Sequence, residues 1–182
     1  SATRRASRRS FRATFKYSSQ SPQNELGDTF EGEITVQGNQ YRLIMQGQEI
    51  INDGQTVWTH LIEANEVQIT DQDPEQNAVM PWAIWSNYRQ AYTMGRFDTH
   101  QVDKRVCNVV ELVPKDDEHG LLKVVLTIAH TTKHIQCLEI LDSNYTLHIF
   151  SVTNFTYDPS LDKAFFKFDP KEHQGIEIID MR

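Results

Sequence analysis

Phe30-Glu31-Gly32-Glu33-Ile34-Thr35-Val36-Gln37-Gly38-Asn39-Gln40-Tyr41-Arg42-Leu43-Ile44-Met45 is the stretch that decides the fold class. Phe30, Gly32, Ile34 and Val36 alternate with Glu31, Glu33 and Thr35, which is the period of a strand with one buried face. Gly38-Asn39 then supplies a two-residue hairpin turn, since both residues tolerate a positive φ. The chain returns through Tyr41, Leu43 and Met45 with the same period. A strand, a tight turn and a second strand follow without a linker, so an antiparallel sheet is under construction here.

The pattern extends both ways. Upstream, Phe11, Ala13, Phe15 and Tyr17 alternate with Arg12, Thr14 and Lys16. Downstream, Ile50-Ile51 leads into the turn Asn52-Asp53-Gly54, and Val57-Trp58 leads out of it. Val67 and Ile69 belong to a further strand. The second half reads as strands over 106–113, 121–130, 134–141 and 145–157, with a short apolar run, Ile176 to Ile179, after Gly175. Ten or eleven strands result. The helical exception is 80–94, where Pro81 stands at a helix start and Trp82, Trp85, Tyr88 and Tyr92 recur on one face. A sheet of that size with a single covering helix leaves apolar surface uncovered. It must either close into a barrel or curl around a ligand.

Length fits one domain over residues 1–182. No run of about 18 apolar residues is present, and the Arg-rich start lacks the apolar stretch of a signal peptide. Five of the 18 basic residues, Arg4, Arg5, Arg8, Arg9 and Arg12, lie within residues 1–12, which hold no acid. The other 170 residues therefore carry 13 basic and 25 acidic groups, a net of −12. An acidic body is the wrong surface for a phosphate backbone, which argues against nucleic acid as a partner.

Patterns that carry chemistry are scarce. We find no nucleophile elbow, phosphate-binding loop, dinucleotide fingerprint or HExxH, and so expect no catalytic residues and no cofactor. His130 and His134 straddle a turn and His148 lies on the neighbouring strand, with no cysteine pair to complete a zinc site, so no metal is expected. The acids at 71–75 and 116–118 lack a calcium-loop cadence. Cys107 and Cys137 should flank the 121–130 strand on opposite sides. Next-but-one strands are about 9.5 Å apart, too far for a disulfide, so both thiols should be free.

Whole-length pattern then resembles a known family. Phe11-Arg-Ala-Thr-Phe15, Phe30-Glu-Gly-Glu-Ile-Thr-Val36 and Tyr41-Arg-Leu43 come first. Ile51-Asn-Asp-Gly-Gln-Thr-Val-Trp58, Glu66-Val-Gln-Ile-Thr70 and Leu112-Val-Pro114 follow, and Phe165-Phe-Lys-Phe168 with Pro170 and Gly175 ends the series. This order is similar to the outer-membrane lipoprotein carrier proteins of the LolA family, in particular to divergent versions from Bacteroidetes-type bacteria.

The resemblance implies a single half-open antiparallel β-barrel of about 10–11 strands with a short helical lid. It implies a periplasmic chaperone without catalysis or cofactor, which holds the acyl chains of lipoproteins in an apolar hollow. Loading at an inner-membrane ABC transporter and delivery to an outer-membrane acceptor are implied with it. The chemistry is consistent, because an acyl chain of about 16 carbons in water is unfavourable by about 12 kcal/mol. Expected lid residues are Trp82, Ile84, Trp85 and Tyr88; expected hollow residues are Ile34, Val36, Leu43, Met45, Trp58, Leu147 and Ile149. Family members also tie the lid with an Arg before a Pro, but Gly38 occupies that position here. We expect a monomer. The alternative on the same architecture is a lipid- or lipoprotein-binding sensor, or an anchored acceptor.

Overall fold

The structure is a computed structural model describing residues 10–73, 80–115 and 120–182, with the side chains at 86 and 87 outside that description. Arg4, Arg5, Arg8 and Arg9, the part of the 71–75 loop beyond Asp73, and the acids at 116–118 lie outside it as well.

Among the described residues, twelve strands account for most of the structure. They are β1 (Ser10–Gln20), β2 (Leu26–Gln37), β3 (Gln40–Met45), β4 (Gln48–Asn52), β5 (Thr56–Leu61), β6 (Glu66–Asp71), β7 (Tyr92–Val102), β8 (Arg105–Pro114), β9 (Leu121–Ala129), β10 (Ile135–Asp142), β11 (Leu147–Tyr157) and β12 (Glu177–Asp180). Among the described residues one helix, α1 (Pro81–Ala91), precedes β7, and one 3-10 turn covers Pro170–Glu172. Hydrogen bonding links the strands in the order β12-β6-β5-β4-β3-β2-β1-β11-β10-β9-β8-β7. The order has two ends, so the sheet is open and not closed into a barrel. The mostly-β class expected from sequence is what the structure shows. The strand count among the described residues is twelve because β7 adds one, and β12 departs from the antiparallel rule by pairing parallel to β6.

The chain falls into two compact units. Unit 1 comprises residues 1–12, 34–72 and 156–182, and unit 2 comprises residues 13–33 and 73–155.

In unit 1 the two-residue turns do the folding. Gly38 sits at φ 63°, and Gln46-Gly47 at 43° and 71°, which turns β3 into β4. Asn52 and Asp53 each accept a backbone N–H through a side-chain oxygen, Asn52 from Gly54 and Asp53 from Gln55 and Thr56, so the β4–β5 turn is self-capped. One apolar cluster joins Ile51 and Val67 of the sheet to Phe168 of the 162–176 stretch, with Trp58 and Ile176 at its border.

In unit 2, β8, β9 and β10 form the central meander. Val110, Leu112, Val124, Leu126, Leu138 and Ile140 are all buried on one face, because the register pairs Leu112 with Val124 with Ile140, and Val110 with Leu126 with Leu138. Cys107 pairs with Ala129 on one side of β9 and Cys137 with Thr127 on the other. The interposed strand keeps them apart, and both thiols are free.

Candidate functional site

Helix α1 is the element that brings the sequence-derived lid residues together. Pro81 at its first turn sets φ at no hydrogen-bond cost, and the N-cap, Met80, offers no side-chain acceptor. Trp82, Ile84 and Trp85 are buried, while Tyr88 is half-buried with its hydroxyl accepting from Arg89 Nε at 3.2 Å. The Trp85 ring meets Phe15 of β1 edge-on at 6.2 Å. From there a row of rings continues: Phe15 to Phe150 at 5.9 Å, Phe150 to Tyr17 at 5.0 Å, Tyr17 to Phe30 at 4.6 Å. The helix therefore covers one end of an aromatic row built on strands. Alternation in the sequence places Phe15, Tyr17 and Phe30 on apolar strand faces but does not join them to the helix.

Strand β11 divides its residues between two faces. Phe150 pairs with Leu138 and His148 with Ile140, so these share the apolar face of unit 2. Leu147 and Ile149 pair with Leu141 and Glu139, which puts them on the opposite face. The stretch Leu147-His148-Ile149-Phe150 has apolar residues on both parities, so sequence alone offers no preference.

Beyond the helix, Met94 and Phe97 of β7 pair with Leu112 and Val110 and so belong to that apolar face, yet they stay exposed at 69% and 57%. A bulge between them keeps both on one side although they are three residues apart. Gly95 sits in the bulge, where a Cβ would come within 3.3 Å of Val113 Cγ2 and 3.4 Å of the Glu111 carbonyl. Sequence reading missed both residues because the bulge breaks the period.

In unit 1, Ile34, Val36 and Leu43 are buried and Met45 is half-buried. The two-residue turn places Ile34 opposite Leu43 on one face, and Leu43 pairs with Ile50, which pairs with Thr59. Trp58 pairs with Ile51 and so lies on the other face, against Val67 and Phe168. A pocket of about 300 Å³ beside the β3–β4 turn is lined by Gln46, Gly47, Gln48, Leu61, Glu63 and Ala64, none of them an expected ligand residue.

His148 bridges the Tyr17 hydroxyl and Asp142 Oδ2, each at 2.8 Å. Burial alone would raise the Asp142 pKa, but hydrogen bonds from His148 and from the N–H groups of Thr146 and Asn144 outweigh it and hold the carboxyl below its usual range. Burial pushes the Tyr17 phenol up. His130 lies 3.2 Å from Asn108, and the His134 ring packs on Phe155 at 5.4 Å. The three histidines thus have separate neighbours, and among the described residues no group of three possible ligands stands close enough to hold a metal. Burial, and then the charge of Glu139, push the Cys137 thiol up to about 11, so it is no thiolate nucleophile at neutral pH.

The sequence profile described as "Outer membrane lipoprotein carrier protein LolA" matches residues 6–169. The chain belongs to the LolA family. No curated protein sequence matches it. Among solved structures, an uncharacterised conserved protein from Thermus thermophilus aligns with TM-score 0.59 at 12% identity, covering 94% of this chain and 90% of that one. A LolA superfamily protein from Nitrosomonas europaea aligns with TM-score 0.46 at 15% identity over 87% and 90% of the two chains. The MucA/MucB complex of Pseudomonas aeruginosa aligns with TM-score 0.47 at 16% identity, over 91% of this chain and 57% of that one. The LolA fold is a binding and carrier fold for lipoproteins and lipids, found in periplasmic proteins and not known for catalysis. Among the described residues, no helix of this LolA-family member is long and apolar enough to cross a membrane.

Proposed function

We propose that the chain is a periplasmic carrier that shields the acyl chains of lipoproteins and takes them from the inner to the outer membrane. The observation that carries this reading is α1 on the aromatic row: three buried apolar side chains, Trp82, Ile84 and Trp85, on an eleven-residue helix seated over strand residues by ring contact. Ring edges and faces give an acyl chain contact area without a polar group to desolvate. A helix of three turns joined directly to an edge strand is a cover that can move away as one piece, which a carrier needs in order to unload.

The proposed acyl contacts in unit 2 are Trp82, Ile84, Trp85 and Tyr88 with Phe15, Phe150, Met94 and Phe97. In unit 1, Ile34, Val36, Leu43 and Met45 form a second proposed apolar face. Trp58, Leu147 and Ile149, also read from sequence as hollow residues, lie on the opposite faces of their strands. The reading takes 1–182 as one carrier domain, since β1, β2 and β11 each contribute residues to both units. Its partners are acylated lipoproteins, an inner-membrane ABC transporter as donor and an outer-membrane acceptor, and it works as a monomer without a cofactor.

Release of a labelled lipoprotein from inner-membrane vesicles tests this. The purified protein should bring the lipoprotein into the soluble fraction as a one-to-one complex. Trp85→Ser, checked for retained strand content by circular dichroism, should weaken binding of a fluorescent acyl probe by roughly tenfold, equivalent to about 1.4 kcal/mol. Probe binding without any lipoprotein release would favour the sensor or anchored-acceptor role. Absence of both probe binding and lipoprotein release would sink the reading.

A further inference from the structure

Residues 162–176 have almost no regular structure, yet they lie on the face of unit 1 that carries Ile51 and Val67. Side chains hold them there at two points. At the first, Phe165 meets two guanidinium groups, Arg42 at 5.1 Å and Arg12 at 5.6 Å from the ring centroid. Arg42 Nη1 also donates to the Phe165 carbonyl at 3.3 Å. Both arginines are themselves fixed, Arg42 by Glu49 Oε1 through Nε at 2.7 Å and Nη2 at 2.6 Å, Arg12 by Thr35 Oγ1 at 3.1 Å.

At the second point, Phe168 stacks flat on His173, 4.8 Å apart at 6°. His60 of β5 meets both rings edge-on, at 5.6 Å from Phe168 and 4.5 Å from His173. His60 is only 6% exposed. Its Nδ1 is 3.9 Å from Glu49 Oε2, too long for a hydrogen bond, and Nδ1 has no hydrogen-bond partner among the described residues. Charged and titratable groups reach His60 from two sides: Glu49 from β4, with Arg42 of β3 behind it, and His173 from the stretch itself. From β6 its cross-strand partner is Val67, which is apolar.

We infer that residues 162–176 form an acid-released strap whose lock is the His60–Phe168–His173 ring cluster. The sign follows from the surroundings. Burial, then the neighbouring His173, hold the His60 pKa below its usual 6.5, and Glu49, already neutralised by Arg42, offsets them only in part. The closed cluster therefore keeps His60 neutral, while an opened one lets it protonate at the ordinary value. Below pH 6.5 the open state binds a proton that the closed state refuses, so acid favours opening. Opening uncovers Ile51, Val67 and Trp58. The downstream end stays tied, because β12 pairs with β6 and Asn65 bonds Gln174 and Glu177.

Hydrogen exchange read by mass spectrometry on the full chain tests the strap, with rates corrected for intrinsic pH dependence. Between about pH 7.5 and about pH 5.5, protection of peptides within 162–176 should fall at least roughly threefold while β9 and β10 hold theirs. His60→Gln stays neutral at every pH and should abolish the change, and His173→Gln should reduce it. Nuclear magnetic resonance of wild-type His60 guards against a variant that fails to fold, and its titration midpoint should lie below 6.5. Unchanged wild-type protection, an undiminished change in His60→Gln, or a midpoint at or above 6.5 would each overturn the strap.

Discussion

Arg42 holds three things at once: the Glu49 carboxylate through two nitrogens, the Phe165 carbonyl, and the Phe165 ring. Glu49 has an 11% exposed side chain and depends on that cation, since a buried carboxylate without a partner carries its full desolvation penalty. Arg42→Met keeps much of the volume and removes the charge. It should cost about 2–3 kcal/mol in urea unfolding, toward the low end of buried-pair breakage because Arg42 itself is 30% exposed. A cost under about 0.5 kcal/mol would mean that solvent already supports Glu49. Nothing in the sequence announced this role. Arg42 reads as one polar member of an alternating strand, and although Glu49 is near in sequence, Phe165 lies more than a hundred residues away. His60 was equally silent, because Val57-Trp58-Thr59-His60 has an apolar residue on each parity and a histidine carries no strong preference for a face. The cysteines were legible because their argument used only strand order, which turn residues report well.

At the scale of elements, β7 is the strand that the sequence concealed. Trp82, Trp85, Tyr88 and Tyr92 keep a helical spacing up to the residue where the helix has already ended; Tyr92 is extended, at φ −126° and ψ 151°. Tyr92, Met94 and Phe97 then share a face with spacings of two and three because of the bulge, which defeats a strict two-residue period. The β7–β8 turn hides too. Asp103 and Lys104 both adopt left-handed φ, 47° and 65°, with no glycine to flag them. Turns of this geometry favour Gly at the second position, and an L-residue there is strained by about 1–2 kcal/mol. Lys104 is exposed. Lys104→Gly should therefore raise stability by about 0.5–1 kcal/mol after the entropy cost of glycine, seen as a higher thermal midpoint. A lower midpoint would mean that the Lys104 side chain contributes more than its backbone costs. Strands flanked by Gly38-Asn39 or Asn52-Asp53-Gly54, by contrast, were readable to within a residue or two, since their turns carry the residues that the geometry demands.

For the whole molecule, acid should act in two stages, because the responsive groups sit in different units and have opposite chemistry. His60 in unit 1 has a pKa lowered from 6.5, so its contribution is complete above 6.5 and is lost as pH falls below that value. Asp142 in unit 2 has a pKa lowered from 3.8, so its contribution is complete above 3.8 and is lost only as pH falls through its folded value beneath. Asp142 also fixes the β10–β11 turn through Asn144 and Thr146 and orients His148 beneath Tyr17, so its protonation loosens the polar end of the aromatic row. A pH series from about 8 to about 2.5 with peptide-resolved hydrogen exchange should show unit 1 losing protection first, below pH 6.5, and unit 2 only below pH 3.8. Asp142→Asn should bring the unit 2 change to neutral pH as a constant loss with no acid step, since the amide cannot carry the charge that His148 and the two N–H groups favour. A single transition shared by both units would assign acid sensitivity to net charge instead, the chain gaining positive charge throughout as its 25 acidic residues protonate.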